Sequence, residues 1–185
     1  MRILGILILS IMNPKDFAAH KHAGQYRRGG DPYITHPERV AQHVRRVKGD
    51  SKHYDELRGA AYLHDTLEDT ATSFEEIEQQ FGPMVASLVK ELTSDKEKIK
   101  QIGKTQYLQR KLAHMSSYGL VIKLADRLDN LQDLADADPK WADKYANQTL
   151  DIIEYLVDNR DLSAAQLRLI EDITDRILAV FPNIR

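Results

Sequence analysis

The segment Val121-Ile122-Lys123-Leu124-Ala125-Asp126-Arg127-Leu128-Asp129-Asn130-Leu131 sets Val121, Leu124, Ala125, Leu128 and Leu131 at spacings of three and four. Residues so spaced form one stripe along a helix; a strand would need alternation at every second position. The same spacing recurs at Val40, Val44 and Val47, and no stretch alternates apolar with polar residues as a half-buried strand does. The chain is therefore expected to be all-α. Its 185 residues suit one domain over 1–185, with a core over about 13–160 and C-terminal helices running to 180. That length buries a core without disulfide or metal staples.

Turn and cap residues divide the pattern. Asn13-Pro14 offers an N-cap followed by a proline in the first turn, starting a helix over 14–25. Gly29-Gly30-Asp31-Pro32 makes 27–37 a loop, and a helix restarts at Thr35 or His36 and runs to the break at Gly49-Asp50-Ser51. The next helix is expected over 54–68. Ser73 with Glu76 three residues on is a capping box for a short helix to Phe81, stopped by Gly82-Pro83. Helix resumes over 83–92, a Lys-rich mobile loop is expected over 93–105, and helices follow near 105–116, 119–135, 139–158 and 163–180.

Composition removes several function classes. The chain has no cysteine, which excludes disulfides, thiolate catalysis and cysteine-ligated metal sites and fits a reducing compartment. A net charge of −2, with Lys+Arg 26 against Asp+Glu 28, argues against a nucleic-acid partner. An apolar run from Ile3 to Ile11 follows Met1-Arg2. It is shorter than the roughly 20 residues that span a bilayer, and no small-x-small cleavage site follows it. A packed N-terminal segment or a start at Met12 is the favoured reading, and the protein is expected to be cytoplasmic, with no membrane partner.

The chemistry concentrates in Leu63-His64-Asp65-Thr66-Leu67-Glu68-Asp69-Thr70. On a continuous helix His64 and Glu68 are i,i+4, as are Asp65 and Asp69, and all four fall within an arc of about 140°. Three carboxylates and an imidazole so crowded repel unless a cation sits among them. Asp126 borders the apolar stripe, where a buried carboxylate needs a partner, and Asn130 shares its face. His36 lies in the turn Thr35-His36-Pro37. Two imidazoles and two carboxylates suit a divalent first-row ion better than Ca²⁺. Such an ion lowers the pKa of water and polarises a phosphoryl oxygen, which suits phosphate-ester hydrolysis. Glu68 is the candidate general base, and Arg27, Arg28, Lys104, Lys123 and Arg127 are candidate cations for phosphate charge.

The spaced set His36, His64-Asp65 and Asp126 resembles the H…HD…D pattern of the HD-domain metal-dependent phosphohydrolases. Arg27-Arg28-Gly29-Gly30-Asp31-Pro32-Tyr33-Ile34-Thr35-His36-Pro37 resembles the R-x-x-G-x-P-Y-I-x-H-P block of the hydrolase domain of RelA/SpoT-type alarmone enzymes. His64 to Asp69 resembles their HD-x-x-ED signature. Phe81-Gly82, Val85, Leu88-Val89 and Leu92-Thr93 resemble a third block, and Leu124-Ala125-Asp126-Arg127-Leu128-Asp129-Asn130 resembles L-A-D-R-L-x-N. The four blocks stand in order over about 15–160. The size resembles that of the small single-domain alarmone hydrolases, the type that includes the metazoan version, with no room for a synthetase domain.

The resemblance implies a single HD-domain helical bundle and one bound divalent metal ion, usually Mn²⁺, with Co, Fe, Ni, Mg or Zn as other occupants. It implies a small-molecule nucleotide substrate and hydrolysis of the 3′-pyrophosphate of ppGpp or pppGpp. His36, His64, Asp65 and Asp126 match the metal ligands, Glu68 and Asp69 the acidic pair that acts on the attacking water. Asn130 matches a substrate contact, and Arg27 and Arg28 fall where basic residues meet the nucleotide. Lys104 is the further substrate-binding candidate. The chain departs from the pattern over 93–105 and at Asp129, where His is common. Both departures are expected near the nucleotide pocket and leave nucleoside 5′-mono-, di- or triphosphates open as alternative substrates. His20, His22, His53 and His114 are expected at the surface. Trp141 is expected as a packing anchor, and Tyr145 and Tyr155 stand as further aromatic candidates beside the base.

Overall fold

The computed structural model describes residues 12–134, 137–182 and 184. The apolar run over 3–11 lies outside the described residues. Among the described residues there is no strand, only an isolated bridge between Tyr26 and Pro32. The all-α expectation holds, and no described helix is long and apolar enough to cross a membrane.

Helix α1 (Pro14–Lys21) starts where Asn13 Oδ1 accepts from the Asp16 N–H at 3.0 Å. It stops four residues short of the expected end, because His22–Gln25 turns through Gly24 at φ +80°. Helices α2 (Thr35–Lys48), α3 (Tyr54–Leu63) and α9 (Ser117–Asn130) carry the centre of the molecule. α2 packs on both α3 and α9. The α9 stripe is fully inside: Val121, Leu124, Ala125 and Leu128 are buried with Leu120 and Ile122. Helices α5 (Phe74–Phe81) and α6 (Pro83–Leu92) form a hairpin on α3, joined at Gly82, whose φ of +88° suits glycine. Helix α8 (Lys104–His114) packs on α10 (Pro139–Asn159), and α11 (Ala164–Val180) covers α9.

Two further expectations fail. The helix expected over 54–68 breaks at His64-Asp65, and α4 (Thr66–Asp69) starts afresh. Thr66 Oγ1 donates to the Leu63 carbonyl at 2.7 Å and His64 Nδ1 to the Ala61 carbonyl at 2.8 Å. These side chains take acceptors that end α3, as short polar groups near helix ends do. The loop expected over 93–105 contains helix α7 (Lys96–Ile102). Asp95 caps it, accepting from the Glu97 and Lys98 N–H groups, and Gly103 at φ +81° ends it. No α7 residue is fully buried, so the apolar periodicity that betrays other helices is missing.

Candidate functional site

The break after α3 decides the geometry. On an unbroken helix, adjacent side chains diverge by about 100°. Here the His64 Nε2 and Asp65 Oδ2 atoms lie 2.9 Å apart. α2 brings His36 Nε2 to 3.2 Å from His64 Nε2 and 3.7 Å from Asp65 Oδ2. α9 brings Asp126 Oδ1 to 3.3 Å from His36 Nε2 and 3.8 Å from His64 Nε2. All four residues therefore meet at one point, across three elements far apart in sequence.

Each of the four is fixed from behind. The Ala61 carbonyl can only accept, so His64 Nδ1 carries a proton and Nε2 faces its neighbours. His36 Nδ1 donates to Asp129 Oδ2 at 2.6 Å. Asp126 accepts from Asn130 Nδ2 at 2.7 Å and pairs with Lys123 Nζ at 2.8 Å. The Tyr33 hydroxyl donates to Asp65 Oδ2.

The charges point to a cation at this junction. Burial works against charge on His36, yet hydrogen bonds to Asp126 and Asp129 and the charge of Asp65 push its imidazole up to about 9. Burial also opposes ionised Asp126, but Lys123 and the two imidazoles hold it well below the usual carboxylate range. For Asp65 burial is again opposed, here by His64, and its carboxyl is lowered. Two converging Nε2 atoms and two ionised carboxylates are a mixed nitrogen–oxygen donor set, and His36, His64 and Asp65 bring ligand atoms within 4.8 Å of one another. These residues fit a divalent metal ion.

A cleft of about 360 Å³ leads from this point to the surface. Glu68 and Asp69, on α4, stand on one wall. Glu68 Oε2 accepts from the Ser94 N–H at 2.9 Å. Lys111 Nζ donates to the Leu92 and Thr93 carbonyls and so braces the turn that carries that amide. Burial and then Lys123 push the Lys111 amine down to about 8. Asp69 is more exposed, and partial burial, Asp65 and Glu68 raise its carboxyl above the ordinary value. Arg27 also lines the cleft, donating to Asn130 Oδ1 at 3.0 Å and Asp133 Oδ2 at 2.6 Å. Arg28 lays its guanidinium 3.9 Å from the Trp141 ring centroid, and Trp141 stacks on Tyr145 at 5.2 Å. Lys104 stands exposed at the rim, its amine lowered by partial burial, Arg127 and Lys123.

Every candidate site residue thus reaches one cleft: His36, Asp65, Asp126, Glu68, Asp69, Arg27, Arg28, Asn130 and Lys104 line it, with His64 at its buried end. Lys123 and Arg127 line it too. Three expectations need correction. Asp129 does not line the cleft; it is fully buried behind His36. Tyr155, a candidate beside the base, does not line the cleft; Trp141 packs against the core as expected and lines the cleft as well. His22 is not at the surface but 3% exposed, its ring 4.5 Å from that of Tyr33. Sequence reasoning missed Tyr33 and Arg39; Tyr33 stands within a quoted motif, and Arg39 follows His36 by one helical turn.

The HD domain family model matches residues 15–161. The guanosine-3′,5′-bis(diphosphate) 3′-pyrophosphohydrolase MESH1 of Mus musculus is 39% identical over 143 residues, 76% of this chain and 78% of that protein. The guanosine-3′,5′-bis(diphosphate) 3′-pyrophosphohydrolase of Aquifex aeolicus is 39% identical over 151 residues, 77% of this chain but 20% of that longer protein. A solved structure of a metazoan ortholog of SpoT, described as hydrolysing ppGpp, superposes with a TM-score of 0.73 at 31% identity, over 90% of this chain and 94% of that one. The structure of lmo0812 from Listeria monocytogenes superposes at 0.64 with 24% identity, a likeness of fold alone. With the family match running from α1 to just past the end of α10 and the converging histidines and aspartates inside it, the chain belongs to the HD-domain family.

Proposed function

We propose that this protein is a divalent-metal-dependent 3′-pyrophosphohydrolase of guanosine 3′,5′-bis(diphosphate), working as a single cytoplasmic domain. The observation that carries this reading is the similarity to MESH1 over most of both chains, at 39% identity. His36, His64, Asp65 and Asp126 are the residues that would hold the ion, with Mn²⁺ the expected occupant. When bound, such an ion supplies a Lewis acid that activates water and draws charge from a phosphoryl oxygen.

The rest falls to the chain's own side chains. Glu68, one oxygen held by the Ser94 amide, keeps the other free to take a proton from the attacking water. Asp69 stands next to it on α4. As the water oxygen bonds to the phosphorus nearest the ribose, the bond from that phosphorus to the 3′ oxygen breaks. Pyrophosphate leaves and the 3′ oxygen gains a proton. Lys123 and Lys104 offer positive charge along the cleft, where phosphate charge accumulates. Arg27 and Arg28 bind the nucleotide towards the mouth, and Asn130 meets it beside Asp126.

Product analysis tests this reading. Metal-stripped protein is supplied with Mn²⁺ and offered ppGpp, pppGpp, GTP, dATP and AMP separately. Release of pyrophosphate and GDP from ppGpp, dependent on the ion, is the expected result. Inertness towards ppGpp with orthophosphate or triphosphate released from dATP or GTP overturns the substrate and leaves the HD chemistry standing.

A further inference from the structure

The two imidazoles at the candidate metal site are not equivalent. His64 Nδ1 donates to a neutral backbone carbonyl, that of Ala61. His36 Nδ1 donates to a carboxylate, Asp129 Oδ2, at 2.6 Å. Asp129 is 0% exposed and is itself gripped by Arg39, with Nε 2.7 Å from Oδ1 and Nη2 3.1 Å from Oδ2. The arrangement joins two helices. His36 and Arg39 are one turn apart on α2, and Asp126 and Asp129 are one turn apart on α9, so His36 has a carboxylate on each side of its ring. Asp129 has no surface on the cleft and cannot touch a substrate there.

We propose that Asp129, locked by the Arg39 fork, is a positioning residue. It fixes the His36 tautomer with Nε2 bare, aims that atom at the metal, and makes His36 the stronger imidazole donor of the two. The inference rests on the metal-site reading given above. A carboxylate accepting from the far nitrogen of a metal-binding histidine orients the ring and raises its basicity. A bidentate guanidinium holds that carboxylate in one rotamer, which a lysine would not do. The buried Asp129 charge is then balanced by His36 and Arg39 together, so the pair has a role beyond joining α2 to α9.

The test is metal affinity of full-length, metal-stripped protein, read by competition with a chromogenic chelator for Mn²⁺ and by the visible absorption of bound Co²⁺. Asp129→Ala is expected to weaken Mn²⁺ binding about 10–100-fold and to shift the Co²⁺ bands. Asp129→Asn keeps an acceptor oxygen without the charge and should fall between the two; it serves if the alanine variant does not fold. Ile152→Ala, a cavity in α10, should lower the melting temperature and leave affinity and spectrum unchanged. Affinity within about twofold of wild type in both Asp129 variants, with unaltered Co²⁺ bands, overturns the proposal and leaves Asp129 a structural ion-pair member. Wild-type protein that binds neither ion overturns the metal-site reading itself, a result seen before any variant is made.

Discussion

The two ends of the cleft are built differently. At the deep end every functional group has a partner that fixes it: Asp129 for His36, the Ala61 carbonyl for His64, Tyr33 for Asp65, Asn130 and Lys123 for Asp126. All of these come from helices or helix ends except Tyr33, which sits in the turn just before α2. At the mouth, Tyr26 is 67% exposed, Arg28 rests on the Trp141 face and Lys104 stands in solvent. Charge stabilisation of a reaction works best through groups that need not reorganise, which the deep end supplies. The mouth can accept or reject substrates by side-chain change alone, without disturbing the core.

Breaking the deep end should have the largest effect. Chelation of the metal, or Asp65→Asn, is expected to reduce turnover of ppGpp at least about a thousandfold, since the ion contributes several kcal/mol to the transition state. A steady-state assay before and after Mn²⁺ is restored checks it; restoration should rescue the chelated protein and not the variant. Next comes Glu68→Gln, with kcat lower by about 10²–10⁴ and metal affinity near that of wild type. Turnover unchanged in that variant would remove Glu68 from proton transfer.

At the mouth the effect should be smaller and of another kind. Arg28→Ala is expected to raise KM about tenfold, with kcat nearly unchanged, as loss of a charged hydrogen-bond donor to phosphate would do. If kcat falls as steeply as with Glu68→Gln, the contrast between the two ends fails. The smallest expected effect lies behind the Glu68 wall. Lys111 has its folded pKa near 8, below its ordinary 10.5. Between those values the unfolded chain binds more protons at this residue than the folded one, so its contribution to stability rises with pH from about 8 to 10.5. Urea unfolding at pH 8 and pH 10 should show that rise in wild type, and Lys111→Met should lack it.

How far the sequence discloses all this depends on what each element buries. The α9 stripe is legible because Val121, Leu124, Ala125 and Leu128 must all face inward. Helix α7 is hidden because it buries nothing completely; only the cap at Asp95 and the stop at Gly103 mark it. That His64 and Asp65 belong together with His36 and Asp126 is legible from their neighbours, but the break between them is not. It depends on Thr66 and His64 hydrogen bonds to carbonyls within a few residues, and helical periodicity carries no sign of it. Asp129 reads in the sequence as a departure near the substrate. Its place behind His36 emerges only when α2 and α9 are set side by side, because the contact joins residues 93 apart.

That separation bears on how long the protein survives. An ion held jointly by α2, the α3–α4 break and α9 would be a non-covalent cross-link closing a very long loop, and none of its half-sites would be complete in an unfolded chain. Ligands that bind only the folded state raise its stability in proportion to the logarithm of their free concentration. Proteases act on the fraction of molecules that open. A cell short of the ion would therefore lose copies of the enzyme to degradation as well as their turnover, and metal supply would set the amount of protein present.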